Sequence, residues 1–170
     1  IEALFSDEER RGEVYSILSD IQQRIQTYVS VKTFLSLVTA IMSYIVLVAV
    51  GLDLAGFWAF VIFLLAFIPT IGSLLGVVFP ALMAILQFGT MGPFIIIAVG
   101  LGAAQFVIGN VLEPRMMGKS LNLSSLVVII SLAVWGSIWG VTGMFLSVPI
   151  TVIMMIVLAE FQQTRPIAIL

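Results

Sequence analysis

The sequence predicts an all-α, polytopic helical membrane protein, and three observations carry that prediction. Of its 170 residues, 61% are hydrophobic and only 9% are charged, whereas a soluble domain carries about 25% charged residues. The apolar residues fall into runs long enough for membrane helices. Gly and Pro interrupt several of these runs, as they often do in membrane proteins. Too few polar groups remain to cover a water-facing surface, so the lipid bilayer is the expected partner.

The composition also excludes several classes of function. The chain has no Cys and no His, which rules out thiol chemistry, histidine-based acid–base catalysis and most zinc sites. Seven basic residues give no strong basic patch, so nucleic-acid binding is not expected. The sequence has no P-loop and no H-E-x-x-H motif. We therefore predict a protein that is not an enzyme and uses no metal or cofactor.

Residues 1–32 are predicted to form an amphipathic cytoplasmic helix, because they hold ten of the sixteen charges beside a regular apolar stripe. The stripe recurs at three- and four-residue spacing. Its members are Val14, Ile17, Leu18, Ile21, Ile25 and Tyr28. The stripe fits packing on the protein itself or on a membrane surface, and the lack of clustered Lys makes the second interpretation weaker.

A transmembrane domain is predicted at residues 33–160, followed by a cytoplasmic tail at 161–170. Its segments are 33–51, 54–68, 74–88, 93–112, 126–139 and 144–159. Two long spans are each followed by a short broken helix pair. A pair that spans twice and a pair that dips in and returns both end on the side where they began. The two units are therefore a possible inverted repeat, which is typical of secondary transporters. The alternative is an accidental repeat, since Gly and Pro are common in membrane helices.

The basic residues support this topology. All seven Lys and Arg residues lie before residue 33, between 112 and 126, or after 159. The opposite side has Asp53 and no basic residue. The positive-inside rule therefore places both ends of this chain in the cytoplasm.

Polar and helix-breaking residues within the apolar segments are the candidates for a transport pathway, because polar groups in a bilayer are costly and face the protein interior. Small and polar residues share one face of 93–112, which fits either tight helix packing or a solute-lining surface. The breaks at 69–72 and 140–143 either bind a polar solute through unpaired backbone groups or reach an aqueous face. The candidates are Pro69, Thr70, Gly72, Pro80, Gln105, Gly109, Asn110, Glu113, Pro114, Gly118, Trp135, Gly140, Gly143 and Pro149.

Glu113 has two interpretations of its own. As a membrane-embedded carboxylate it could carry a proton or a cation. Alternatively it forms a surface ion pair with Arg115 or Lys119, because Pro114 is expected to end the helix at that point.

Four motifs occur in a specific order: IPTIGSLLG at 68–76, EPRMMGK at 113–119, WGSIWG at 135–140 and GMFLSVP at 143–149. Together they resemble the autoinducer-2 exporter family of bacterial membrane proteins, over about residues 14–160. The resemblance implies secondary transport in the bacterial cytoplasmic (inner) membrane by a homo-oligomer. In the best-known members the solute is the quorum-sensing signal autoinducer-2. The stretch corresponds to the C-terminal half of that family, so further membrane helices are expected before Ile1.

Two departures from the family pattern bear on the mechanism. Family members often have Tyr and then Gly-Pro in the first break, where this chain has Thr70 and Gly72-Ser73. Many have His-Pro where this chain has Ser124-Ser125. The missing His leaves fewer titratable groups for proton coupling, which counts mildly against a sodium(lithium)/proton antiporter, the activity described for some relatives.

Three hypotheses follow. The leading one is a secondary transporter that exports a small polar, largely uncharged solute, such as autoinducer-2. The second is a sodium(lithium)/proton antiporter that uses Glu113. The third is a membrane scaffold that transports nothing and recruits partners through its amphipathic N-terminal helix.

Overall fold

The computed structural model describes residues 2–117 and 124–160, and all regular secondary structure in those ranges is helical. The helices are α1 (Glu2–Val50), α2 (Ala55–Leu65), α3 (Ile71–Phe88), α4 (Met91–Val107), a π-helical turn (Ile108–Leu112), α5 (Glu113–Met117) and α6 (Ser125–Glu160). Within the described ranges, four stretches are long and apolar enough to cross a membrane. They are Leu18–Val50, Ile71–Phe88, Met91–Met117 and Leu126–Ile156. The prediction of an all-α, polytopic membrane protein is confirmed.

Helix α1 continues through the boundary that the sequence suggested at residue 32. The segment from Glu13 to Val50 has neither Gly nor Pro, so nothing interrupts the backbone hydrogen bonds where the charged region gives way to the apolar one. The helix ends at Gly51, whose φ is +79°. Charge patterning therefore indicates where the chain becomes apolar and not where a helix ends.

The first short pair is a helical hairpin that returns to its starting level. Gln87, at the end of α3, donates through Nε2 to the Gly51 carbonyl and accepts from the Asp53 amide, at 2.9 and 2.8 Å. Helix α2 has 11 residues, about 16 Å at 1.5 Å per residue, and therefore cannot cross a hydrocarbon core of about 30 Å. The connection at 66–70 forms the tip of the hairpin.

Three predicted helix boundaries need correction. Helix α3 begins at Ile71 and not at residue 74, so Gly72 lies in its first turn. Pro80 lies inside α3 and does not interrupt it. The helix that includes α4 does not stop before Pro114, because a π-helical turn carries it into α5. In that turn the Glu113 amide donates to the Ile108 carbonyl, five residues back. Pro114 has no N–H, and a π-helical turn accommodates such a gap in the ladder.

The chain divides into two compact units. One, here called the central unit, contains residues 30–118. In it, α3 packs against both α2 and α4. The centre of this unit is an apolar cluster formed by Leu47, Leu52, Ala55, Ile62, Ala81, Ala84, Ile97 and Leu101.

The other unit contains residues 1–29 and 119–170, and α6 is its longest helix. Gly140 interrupts α6 with φ +61° and ψ −139°, a non-helical conformation. A positive φ is readily adopted only by Gly. The predicted segments 126–139 and 144–159 thus lie on either side of a backbone kink.

Gly72 and Gly143 both approach a backbone carbonyl of the preceding helical segment. A Cβ built on Gly72 would overlap the carbonyl oxygen of Leu65 and lie 2.6 Å from its carbon. A Cβ on Gly143 would likewise overlap the Trp135 carbonyl oxygen and lie 2.6 Å from its carbon. Neither position has room for a side chain.

Replacing Gly72 with Ala is expected to destabilise the protein by about 1–3 kcal/mol, because the added methyl group forces two backbone segments apart. The matched control is Gly12→Ala in α1, where a Cβ would meet nothing within 4 Å. That change should be neutral or stabilising by up to about 1 kcal/mol. Thermal unfolding in mild detergent, followed by circular dichroism, measures both. Equal stability of the two variants would contradict the close approach at Gly72.

Candidate functional site

A polar cavity of about 770 Å³ lies inside the central unit. This volume falls within the range of about 300–1,000 Å³ that is typical of small-molecule sites. It lies between α1, the hairpin tip, the first turns of α3 and the end of α4 with the π-helical turn. The polar side chains that line it are Lys32, Ser36, Thr39, Thr70, Ser73, Gln105, Asn110 and Glu113.

Helix α1 forms one wall of the cavity, with three buried polar residues on one face. Lys32, Ser36 and Thr39 are only 7%, 1% and 2% exposed, and their spacing of four and three residues places them on the same side of the helix. The Thr39 hydroxyl donates to the Leu35 carbonyl at 2.7 Å. The Ser36 hydroxyl has no hydrogen-bond partner in the described part of the chain. Its bonding capacity is therefore available to a molecule in the cavity.

An ion pair joins α1 to the start of α5. Lys32 Nζ donates to Glu113 Oε1 at 2.6 Å, across 81 residues of sequence. The Lys32 side chain is 8% exposed and that of Glu113 is 28% exposed. Lys32 and Glu113 are the charged residues of the cavity lining, and they neutralise each other.

Lys32 is not one of the partners, Arg115 or Lys119, that the sequence predicts for Glu113. Arg115 is exposed, and Lys119 lies outside the described residues. The sequence contains a signal that points to Lys32, because the predicted topology places the connections before residue 33 and after residue 112 on the same side. Lys32 is the last charge before the first long apolar segment, and Glu113 is the first charge after the second.

Gln105 fits closely against α3 at a residue without a side chain. Its Nε2 atom is buried and has no hydrogen-bond partner in the described ranges. A Cβ built on Gly76 would lie 3.2 Å from that Nε2, so Gly76 makes room for the amide. Gly76 was not among the candidates. The i, i+4 spacing of Gly72 and Gly76 places both on one face of α3.

The remaining candidates divide by location. Pro69, Thr70, Gly109 and Asn110 line the cavity with Gln105 and Glu113. Thr70, at the hairpin tip, has φ +61°, which is uncommon for a β-branched residue. Its carbonyl accepts from the Ser73 hydroxyl at 2.8 Å and from the Leu74 amide at 3.2 Å.

Other candidates lie in the central unit but do not line this cavity: Gly72, Pro80 and Pro114. Trp135, Gly140, Gly143 and Pro149 belong to α6, in the other unit. Their local structure includes contact between the rings of Trp135 and Trp139, with centroids 5.6 Å apart. Gly118 lies outside the described residues.

The central unit thus combines a polar cavity with long apolar helices. The chain belongs to the AI-2E transporter family, because the model of the "AI-2E family transporter" matches residues 3–163.

Three curated relatives are similar in sequence. The chain is 36% identical over 156 residues to the AI-2 transport protein TqsA of Escherichia coli (strain K12), which covers 90% of this chain and 45% of that protein. It is 38% identical over 150 residues to a putative transport protein of Haemophilus influenzae, covering 88% and 43%. It is 39% identical over 127 residues to the putative transport protein YhhT of E. coli K12, covering 75% and 36%. The chain thus spans less than half the length of these relatives.

Replacing Glu113 with Gln is expected to destabilise the protein by about 1–3 kcal/mol, because it leaves the buried Lys32 ammonium without its partner. The double variant Lys32→Met/Glu113→Gln should recover most of that loss, since no unpaired buried charge remains. Thermal unfolding in detergent measures both effects.

The matched control is the exposed pair between Arg24 and Asp20, whose side chains are 41% and 46% exposed. Asp20→Asn should cost at most about 1 kcal/mol. Additive losses in the Lys32/Glu113 double variant would show that the pair contributes no coupling energy.

Proposed function

We propose that this chain is part of a secondary transporter that exports a small, polar, largely uncharged solute, with autoinducer-2 as the first candidate. The observation that carries the proposal is the cavity, in which Lys32 pairs with Glu113 while Ser36 and Gln105 keep polar atoms that have no partner among the described residues. Membership of the AI-2E transporter family supports the activity. The name of TqsA supports the choice of solute, at 36% identity.

The electrostatics of the cavity favour an uncharged solute. Moving an ion out of water is costly unless an opposite charge compensates it. Lys32 and Glu113 already satisfy each other at 2.6 Å, so an incoming anion or cation would first have to break their ion pair. A neutral solute with hydroxyl or carbonyl groups has no such requirement. It can bond to the Ser36 hydroxyl and the Gln105 amide, which lack partners within the described chain.

The position of the cavity supports loading from the cytoplasm. Lys32 and Glu113 belong to the side that carries all the basic residues, which the positive-inside rule assigns to the cytoplasm. We place both ends of this chain on that side, in a bacterial inner membrane. A cavity at the cytoplasmic end of the helices suits a solute that is exported. Assembly into a homo-oligomer and contact with lipid belong to the same proposal.

The antiporter is the second candidate, because the same ion pair gives it a testable basis. In that case a proton or cation would bind Glu113 and displace Lys32. The scaffold hypothesis has no support of this kind from the cavity.

Replacing Ser36 with Ala or Gln105 with Leu should lower transport efficiency, kcat/KM, by about two- to tenfold each, since one hydrogen bond to the solute contributes about 0.5–1.5 kcal/mol. The assay is uptake of labelled autoinducer-2 by inside-out vesicles that contain the full-length protein. Ser30→Ala is the matched control, because Ser30 is an exposed serine on the same helix. Its transport should equal that of the wild type. Unchanged transport in both cavity variants would remove the cavity from the pathway.

Glu113→Gln separates the two transport mechanisms. For a neutral-solute exporter, the variant should keep the pH dependence of the wild type, although its yield falls. For an antiporter, the pH profile should flatten, because Gln retains the shape of Glu and cannot titrate. The measurement is initial uptake rate in the same vesicles over a range of pH. A flattened profile would replace the export proposal with cation/proton exchange.

A further inference from the structure

The cavity stops partway through the central unit, and the apolar cluster begins where it stops. On α1 the lining ends at Thr39 and the cluster begins at Leu47. On α3 the lining ends at Val77 and the cluster follows at Ala81. On α4 the lining begins at Gly102, directly after the cluster residue Leu101. Each of these three helices therefore passes from cavity to cluster within about two turns.

The cluster closes this route in the structure. Five of its members are completely buried: Leu47, Ile62, Ala84, Ile97 and Leu101. Apolar side chains packed in this way leave no polar group to solvate a solute. A molecule that passes from the cavity through the centre of this unit would have to separate the cluster.

Ser43 lies between the cavity and the cluster. It is four residues beyond Thr39 and four before Leu47, on the same buried face of α1. It is completely buried, and its hydroxyl has no hydrogen-bond partner in the described part of the chain. The Trp58 indole N–H is also buried and has no partner within residues 2–117 and 124–160, and the Trp58 side chain packs against the cluster.

Among the buried serines and threonines of the described helices, Ser43 differs from most in making no such hydrogen bond. Serine and threonine hydroxyls in helices commonly donate to a carbonyl three or four residues back. Other buried hydroxyls of the described helices do so: Thr39, Ser131, Ser147 and Thr151. The buried hydroxyls without such a bond, those of Ser36 and Ser43, lie two turns apart on one face of α1. Ser36 lines the cavity, which indicates a common role for the pair.

We propose that the Ser43 hydroxyl is a second solute-binding group, which the solute reaches from the cavity when the apolar cluster opens as a gate. This inference rests on the proposed transport function. A hydroxyl both donates and accepts and carries no charge, so the matching ligand is a neutral solute with hydroxyl or carbonyl groups. An unpaired buried hydroxyl costs free energy in the closed state, and contact with the solute recovers it during passage.

The first test measures access to Ser43 with a thiol reagent. This chain contains no Cys, so Ser43→Cys in the full-length protein, with any other cysteine replaced, gives a single reporter. A small, water-soluble methanethiosulfonate should label it at least tenfold faster than Ala40→Cys. Ala40 is 8% exposed on the same helix but lines an apolar groove with Leu37 and Phe60. Equal labelling of the two variants would overturn the proposal.

The second test measures transport and stability in one variant. Ser43→Ala should lower uptake of labelled autoinducer-2 about tenfold, with a thermal unfolding temperature equal to or above that of the wild type. A structural hydroxyl would instead give a lower unfolding temperature with its loss of transport. That result, or unchanged uptake, would overturn the proposal.

The two proposals fail in different ways. If the wild-type protein transports no autoinducer-2, the proposed substrate is wrong. The labelling comparison still decides whether Ser43 lies on a water-accessible path, because that measurement requires no solute.

Discussion

A hydrocarbon solvent offers no hydrogen bonds, and this constraint governs both the regular and the irregular parts of the chain. Each unsatisfied backbone group in the bilayer core costs several kcal/mol, so the apolar segments are helices. Where a helix breaks, neighbouring groups form hydrogen bonds with backbone atoms that have lost their helical partners. At the hairpin tip the Thr70 carbonyl accepts from Ser73 and Leu74. Just before Pro114, at Ile108–Leu112, the hydrogen-bond ladder changes to a π-helical turn. Against this background the hydroxyls of Ser36 and Ser43 are informative, because they are buried and have no hydrogen-bond partner within the described residues.

The ion pair between Lys32 and Glu113 shows how the cavity tolerates charge in such surroundings. The Lys32 side chain is 8% exposed, and its charge would be costly to bury without a partner. Pairing it with Glu113, which is 28% exposed, requires close contact between α1 and the start of α5. The pair therefore fixes the spacing of two helices and leaves the cavity lining without net charge. A solute that bonds through hydroxyl and amide groups then encounters no competing ion. The same ion pair thus holds α1 against α5 and underlies the proposed preference for an uncharged solute.

The sequence was sufficient to locate the apolar segments and the breaks at 69–72 and 140–143, because Gly and Pro act locally on the backbone. It was also sufficient for several cavity residues, since small and polar groups on one face of a membrane helix need a polar environment. It was not sufficient for the partner of Glu113. Near neighbours in sequence seemed the natural partners, but contact between α1 and α5 depends on how the helices pack. The prediction that the helix ends at Pro114 was wrong for a related reason. A π-helical turn compensates for the missing N–H of proline, and local sequence rules do not predict such a turn.

Gly72 and Gly143, which both lie against a backbone carbonyl, give the possible inverted repeat a physical basis. Gly72 follows the break at 66–70 and lies against the carbonyl of Leu65, seven residues back. Gly143 follows the kink at Gly140 and lies against the carbonyl of Trp135, eight residues back. The two breaks differ in sequence, and their prolines do not align. They nevertheless require a residue without a side chain at the corresponding place, because in each the chain folds back closely on the helical segment before it. A duplicated hairpin whose side chains have diverged would keep this backbone requirement for glycine. We therefore propose that the kink in α6 is the counterpart of the hairpin tip that lines the cavity.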